Sequence, residues 1–238
     1  MNTTFRTMGT VASLEVRGEF AAVEALRAVF DDLEARFSLY DGESELSHVA
    51  AGALALPDAS PDLLAVYGSA LEWRRLTDGA FTPHRPDGVV DLDGIVKALA
   101  IDRAARLLPT DAAWCLNVGG DILTNGSPWR LGIVDPLDRG AILCAVDLVG
   151  TRRALATSGT SERGEHVWRT RDAASAPFTQ VSVLAGDVVT ADVLATAILA
   201  GDGAARDELC SRFDIDVLTV DRAGSLAATP GLRAALAA

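Results

Sequence analysis

Lysine is almost absent from this chain of 238 residues: 20 of its 21 basic residues are arginine, and Lys97 is the one lysine. Arginine carries a planar fork of donors and lysine a compact point charge. A lone lysine in an arginine background therefore marks a site the fork cannot fill, or a chance survivor. Cysteine is also sparse. Cys115, Cys144 and Cys210 are odd in number, widely spaced and without a CxxC pair, which reads as buried free thiols in a reducing compartment. His48, His84 and His166 are equally scattered, which argues against a zinc cluster. No apolar run is long enough to span a bilayer, and Met1 to Thr10 has one arginine and no apolar leader segment. The expectation is a cytoplasmic protein with no membrane insertion. Positive charge is in deficit, with 33 acidic residues against 21 basic and a net charge of −12. A phosphate backbone needs a basic face, so nucleic acid is not an expected partner.

Apolar material is plentiful: 49% of residues are hydrophobic and 23% charged, the balance of a globular chain with a sizeable core. Phe5 to Val16 reads as a strand interrupted by Gly9. Val23, Leu26, Phe30, Leu33 and Phe37 form one stripe of an amphipathic helix over 20–37. Ser44 caps a short helix, Ser60-Pro61 opens another that ends at Gly79, and Asp93 caps a third that runs to Leu108. Beyond them the pattern shortens. Trp114–Val118, Trp129–Val134, Ile142–Leu148, Ala154–Ala156 and Gln180–Leu184 read as strands. Helical pattern returns at Thr190–Ala200 and Ala204–Phe213, then a strand at Asp216–Val220 and a small C-terminal helix. There is no β-α-β alternation, repeat or linker, so the expected fold class is α+β, with mixed or antiparallel sheets, flanking helices and one unit over residues 1–238.

The chain lacks a dinucleotide G-x-G-x-x-G and a Walker loop. The stretch around Ser161 misses the spacing of a nucleophile elbow by one residue. Gly119-Gly120-Asp121 follows a strand and is either a plain turn or a place where backbone amides approach a ligand. Asp192 and Thr196 lie four apart and share a face of an otherwise apolar helix. A carboxylate plus a hydroxyl suits magnesium, while a cap near the helix start is the other reading. Asp91 and Asp93 lead into a helix that carries Lys97 one turn in. That lysine either offsets an anionic ligand or pairs with Asp93.

Taken in order, Met8-Gly9-Thr10, Phe37 to Tyr40, Ser44 to Ser47, Thr77-Asp78-Gly79-Ala80-Phe81, Asp91 to Lys97, Asn117 to Asp121, Thr157-Ser158-Gly159, His166 and Ala191 to Thr196 form a series. It resembles the FAD:protein FMN transferases, the ApbE-type flavin transferases, over nearly the whole chain. The resemblance implies a T-fold-like α+β unit with FAD in a cleft. It implies cleavage of FAD at its pyrophosphate, attachment of FMN to a Thr or Ser hydroxyl of an acceptor flavoprotein, release of AMP, and a need for magnesium. By motif, Met8 and Tyr40 would pack on the flavin, and Ala80, Phe81 and Thr82 would line the cleft. Asp91 and Lys97 would contact FAD. Gly119 and Gly120 would approach it, and Thr157, Ser158 and Gly159 would lie near its phosphates. The Gly94 carbonyl, the Asp192 carboxylate, the Ala195 carbonyl and the Thr196 hydroxyl would hold magnesium. His166 would be the catalytic base beside Asp192 and its metal. Three positions depart from the family pattern. His166 is followed by Val167-Trp168-Arg169-Thr170 instead of a stretch containing Asp-Pro, Thr82 replaces an Asp, and Ala98 replaces a Gly after the lysine. The same residues also admit an FAD diphosphatase yielding FMN and AMP, or a protein that binds FAD without turnover.

Overall fold

The structure, a computed structural model, describes residues 1–159 and 177–237. His166 lies outside them. The first strand expectation resolves into two strands, β1 (Asn2–Thr7) and β2 (Thr10–Val16), paired antiparallel with Thr7 opposite Thr10. Met8 and Gly9 make the two-residue turn, with φ of 47° and 69°. Two successive left-handed residues match the right-handed twist of a hairpin.

Four α-helices follow. In α1 (Val23–Phe37) the residues Leu26, Phe30, Leu33 and Phe37 are buried, each contributing roughly 1.5–3 kcal/mol relative to exposure. Ser44 caps α2 (Glu45–Ala50), its side chain accepting from the Ser47 N–H. Ser60 caps α3 (Pro61–Leu76) in the same way through the Leu63 N–H. The fourth, α4 (Asp93–Ala105), has Leu92 at its cap position with no side-chain bond. The capping role expected of Asp93 falls to Asp91, whose carboxylate accepts from the Asp93 N–H at 3.0 Å.

The strands β3 (Trp114–Val118), β5 (Trp129–Val134) and β6 (Ile142–Leu148) have the expected bounds. Between the first two lies β4 (Asp121–Thr124), a strand the sequence pattern did not suggest. It is followed in the main sheet by β7 (Ala154–Gly159), β8 (Phe178–Ala185), β9 (Asp216–Asp221) and β10 (Leu226–Ala228). The order is β1-β2-β3-β4-β7-β8-β9-β10, and every pairing is antiparallel. β5 and β6 form a separate hairpin. The remaining helices are α5 (Val188–Ala200), α6 (Gly203–Arg212) and α7 (Pro230–Ala235). Asp187 caps α5, accepting from the Thr190 N–H at 2.8 Å and from the Thr190 hydroxyl, so the helix starts two residues before Thr190.

The sheet is covered on both faces. Leu116, Val118, Leu123, Ala156, Val181, Val183 and Val217 join α1, α4 and α5 in the larger core. Cys115, Ile122, Leu155, Leu184 and Leu218 meet Trp129, Ile133, Val146, Leu148 and Leu232 in a second cluster, under the β5–β6 hairpin and α7. Alternation along each strand separates the two. The arrangement is α+β, as composition and pattern suggested.

Candidate functional site

The hairpin register gathers the sequence motifs at one end of the sheet. Ala12 pairs with Val118, Val118 with Asp121, and Gly159 with Gln180. The Met8-Gly9 turn, the Gly119-Gly120 turn and the last residue of β7 therefore share that end. Gly119 donates its N–H to the Val11 carbonyl at 3.1 Å, and the Gly120 N–H reaches the Asn117 side chain at 3.0 Å. An open depression of about 390 Å³ lies at the Met8-Gly9 turn. The Met8 N–H donates to the Glu34 carboxylate at 2.8 Å there, and the buried Thr7 hydroxyl has no hydrogen-bond partner.

On the helix-facing side, adjacent strands β4 and β7 present Asp121 and Ser158. The Ser158 hydroxyl lies 3.1 Å from the Thr196 hydroxyl of α5. One turn earlier on that helix, Asp192 is 1% exposed. Ten of the thirteen residues of α5 are buried, and Asp192 is the one charged residue among them. Burying a carboxylate costs several kcal/mol unless charge or hydrogen bonds compensate it, so its place in a core helix calls for a cation or donors. Lys97, one turn into α4, forms an ion pair with Asp121. Its partner is thus a strand residue rather than a neighbour on its own helix. Asp121 received no role from the sequence, because the strand it opens, whose four residues are all buried, was not read from the pattern.

Near the start of α4, Gly94 is packed under the Phe81 ring, where an added Cβ would sit 3.1 Å from Phe81 Cε2. The Thr77 hydroxyl accepts from the Phe81 N–H at 3.0 Å and so fixes the loop that carries Ala80 and Phe81. Thr82 accepts from the His84 N–H at 3.2 Å, and His84 Nε2 meets the Tyr67 hydroxyl at 2.9 Å. Burial, helped by the nearby Arg74 charge, lowers the His84 pKa below its ordinary value. Asp91 donates its N–H to the Pro83 carbonyl at 2.8 Å. Tyr40 is 76% exposed on the loop after α1.

On the opposite face a groove of about 110 Å³ is lined by Asn117, Gly120, Thr157, Gly159 and Gln180 together with Asp135 and Arg139 of the β5–β6 turn. The Thr157 hydroxyl meets Ser182 at 2.8 Å, and Gln180 donates to the Val134 carbonyl at 3.1 Å. Thr157 and Ser158 therefore point to opposite faces of one strand, and the sequence motif they form serves both sides of the sheet end. Cys115 lies in the second cluster, where burial pushes its thiol pKa up to about 12. Among the described residues no group of three or more His, Cys, Asp and Glu side chains is placed to hold a metal. No helix among them is long and apolar enough to cross a membrane.

Solved structures share this fold. An ApbE protein from Thermotoga maritima superposes with a TM-score of 0.82 at 19% identity, over 100% of this chain and 99% of its own. A flavin transferase ApbE from Vibrio cholerae gives 0.76 at 21% identity, over 99% of each chain. A flavinyl transferase ApbE from Pseudomonas stutzeri gives 0.74 at 19% identity, over 100% of this chain and 97% of its own. No curated protein sequence matches the chain. The sequence pattern of the ApbE family matches two overlapping segments, residues 8–86 and 82–219. Those segments hold the Met8-Gly9 turn, the Phe81–Gly94 packing, the Lys97–Asp121 pair and the α5 carboxylate, and with a match that runs over most of its length the chain belongs to the ApbE family.

Proposed function

We propose that residues 1–238 act as one unit, a magnesium-dependent FAD:protein FMN transferase. The observation that carries the reading is the Asp192–Thr196 face of α5: a charged residue buried in an apolar helix, one turn from a hydroxyl bonded to Ser158. Family membership supports it. So does the meeting of glycine turns, hydroxyls and the lone lysine at one sheet end.

The donor set fits a hard divalent cation. One carboxylate, one hydroxyl and the backbone carbonyls of Gly94 and Ala195 are all oxygen, the preference of magnesium. Bound there, the ion would supply charge neutralisation for a diphosphate. The chain's own residues do the rest. Lys97 would bring its positive charge to the FAD diphosphate, and Ser158 would orient it from the helix-facing side of β7, while Thr157, on the other face, is bonded to Ser182. Met8, Tyr40, Ala80, Phe81, Thr82 and Asp91 would hold the flavin side of the ligand. His166 would take the proton from the acceptor hydroxyl as its oxygen bonds to the FMN phosphorus. The bond from that phosphorus to the bridging oxygen breaks, and AMP leaves with the electron pair. Such proton transfer typically contributes about 10²–10⁴-fold.

Asp192→Asn keeps the shape and removes the charge, so AMP release from FAD should fall by about 10²-fold at low magnesium and recover partly at high magnesium. Thr196→Val removes one neutral donor and should be milder. Normal turnover of FAD by Asp192→Asn at low magnesium would remove the metal assignment. AMP released with no FMN on the acceptor would mean that water, not a protein hydroxyl, is the nucleophile.

A further inference from the structure

We infer that Asp121 is a positioning residue for Lys97. It fixes the ammonium so that its remaining donors face the diphosphate of FAD; the inference rests on the function proposed above. Asp121 is 0% exposed, and Lys97 forms an ion pair with its Oδ2. Both carboxylate oxygens, Oδ1 and Oδ2, are buried without a hydrogen-bond partner among the described residues, so the ion pair is what answers the buried charge. The lysine side chain is 11% exposed, so it is nearly enclosed.

Stability alone does not account for such a pair. Two charges withdrawn from water repay their desolvation only with good geometry and full hydrogen bonding, and apolar replacements are often as stable. Asp121 lacks that full bonding. Lysine has three N–H donors and no preferred plane. With the ammonium held against Asp121 by the ion pair, the long side chain loses its freedom to swing and its N–H donors keep a fixed direction. The surrounding elements make that direction useful. Both α4 and α5 pack on β4, and Ser158, on the next strand and the same face, contacts Thr196 of α5. The lysine is thus tethered beside the hydroxyls and the Asp192 helix rather than left on the surface. Asp121 touches neither FAD nor metal in this account and acts through the ammonium.

The test uses the full-length protein and FAD itself. Lys97 is the only lysine, so protein labelled with ε-¹⁵N-lysine carries one ammonium signal. In the wild type that signal should be sharp through its ion pair with Asp121 and should shift when FAD and magnesium are added. Asp121→Asn should broaden it, and should raise the KM for FAD and the FAD dissociation constant by about 10–10²-fold with a smaller change in kcat. Damage to folding would instead lower kcat through the active fraction and leave KM unchanged. Lys97→Met/Asp121→Asn should bind FAD no more weakly than Lys97→Met alone, since Asp121 has no effect without the lysine. A wild-type ammonium signal indifferent to FAD, an unchanged KM in Asp121→Asn, or additive losses in the double variant would each overturn the inference and leave the transferase reading intact. A wild type that neither binds nor cleaves FAD would overturn both.

Discussion

At Gly119 the backbone has φ of 59°, and an added Cβ would lie 2.8 Å from the Thr10 hydroxyl. Two constraints meet there, a left-handed conformation and a close approach between neighbouring strands. Gly119→Ala should destabilise the protein by about 1–3 kcal/mol. Urea unfolding would show it as a lower midpoint with unchanged slope. The sequence displayed the two glycines but left open whether they make a turn or a ligand approach. The register of β3 and β4 makes them a hairpin turn at the end of the sheet that also carries Met8 and Gly159. Lys97 was legible as an exception in composition. Its partner was not, because Asp93 is four residues away in sequence and Asp121 is brought near only by the packing of α4 on β4.

Asp62 ties three helices together. Arg103 of α4 donates to its two oxygens at 2.8 and 3.1 Å, and Arg36 of α1 lies 3.6 Å away. The hydrogen bonds from Arg103, with the charges of Arg103 and Arg36, hold the Asp62 pKa below its ordinary value against the opposing effect of burial. A carboxylate with a depressed folded pKa adds stability above its unfolded pKa and loses it as pH falls through the folded value. Asp62→Asn should therefore cost about 0.5–1 kcal/mol at pH 7, the scale of a partly exposed pair. That difference should close as pH drops below about 4. Denaturant midpoints of the two proteins across pH 3–7 would check it, and a constant gap would show that charge is not the cause. The elements themselves were unevenly readable. Alternation and turn residues marked β3, β5 and β6 to the residue. β1 and β2 merged because Met8-Gly9 is too short a break and Met is not a turn-former. β4 was missed because four residues opening on an acid look like loop. α5 starts two residues before Thr190 because Asp187, accepting from the Thr190 N–H, caps it there.

For the whole molecule, FAD and magnesium should act as a stabilising ligand pair. At a concentration of FAD about 100 times its dissociation constant, binding to the folded state adds about 2.7 kcal/mol, which for a chain of this size raises Tm by roughly 5–10 °C. Adding a chelator should remove most of that shift, because the diphosphate brings negative charge to a protein whose net charge is already −12. Differential scanning calorimetry with and without the chelator measures it, and an FAD-induced shift that survives chelation would separate FAD binding from the metal.

The most direct measurement is mass spectrometry of an acceptor flavoprotein domain incubated with the wild-type protein, FAD and magnesium, with AMP quantified in parallel. One FMN should be added to a Thr or Ser of the acceptor and an equal amount of AMP released, both falling by about 10²-fold at low magnesium on replacing Asp192 with Asn. An acceptor of unchanged mass alongside free FMN and AMP would contradict the transferase reading.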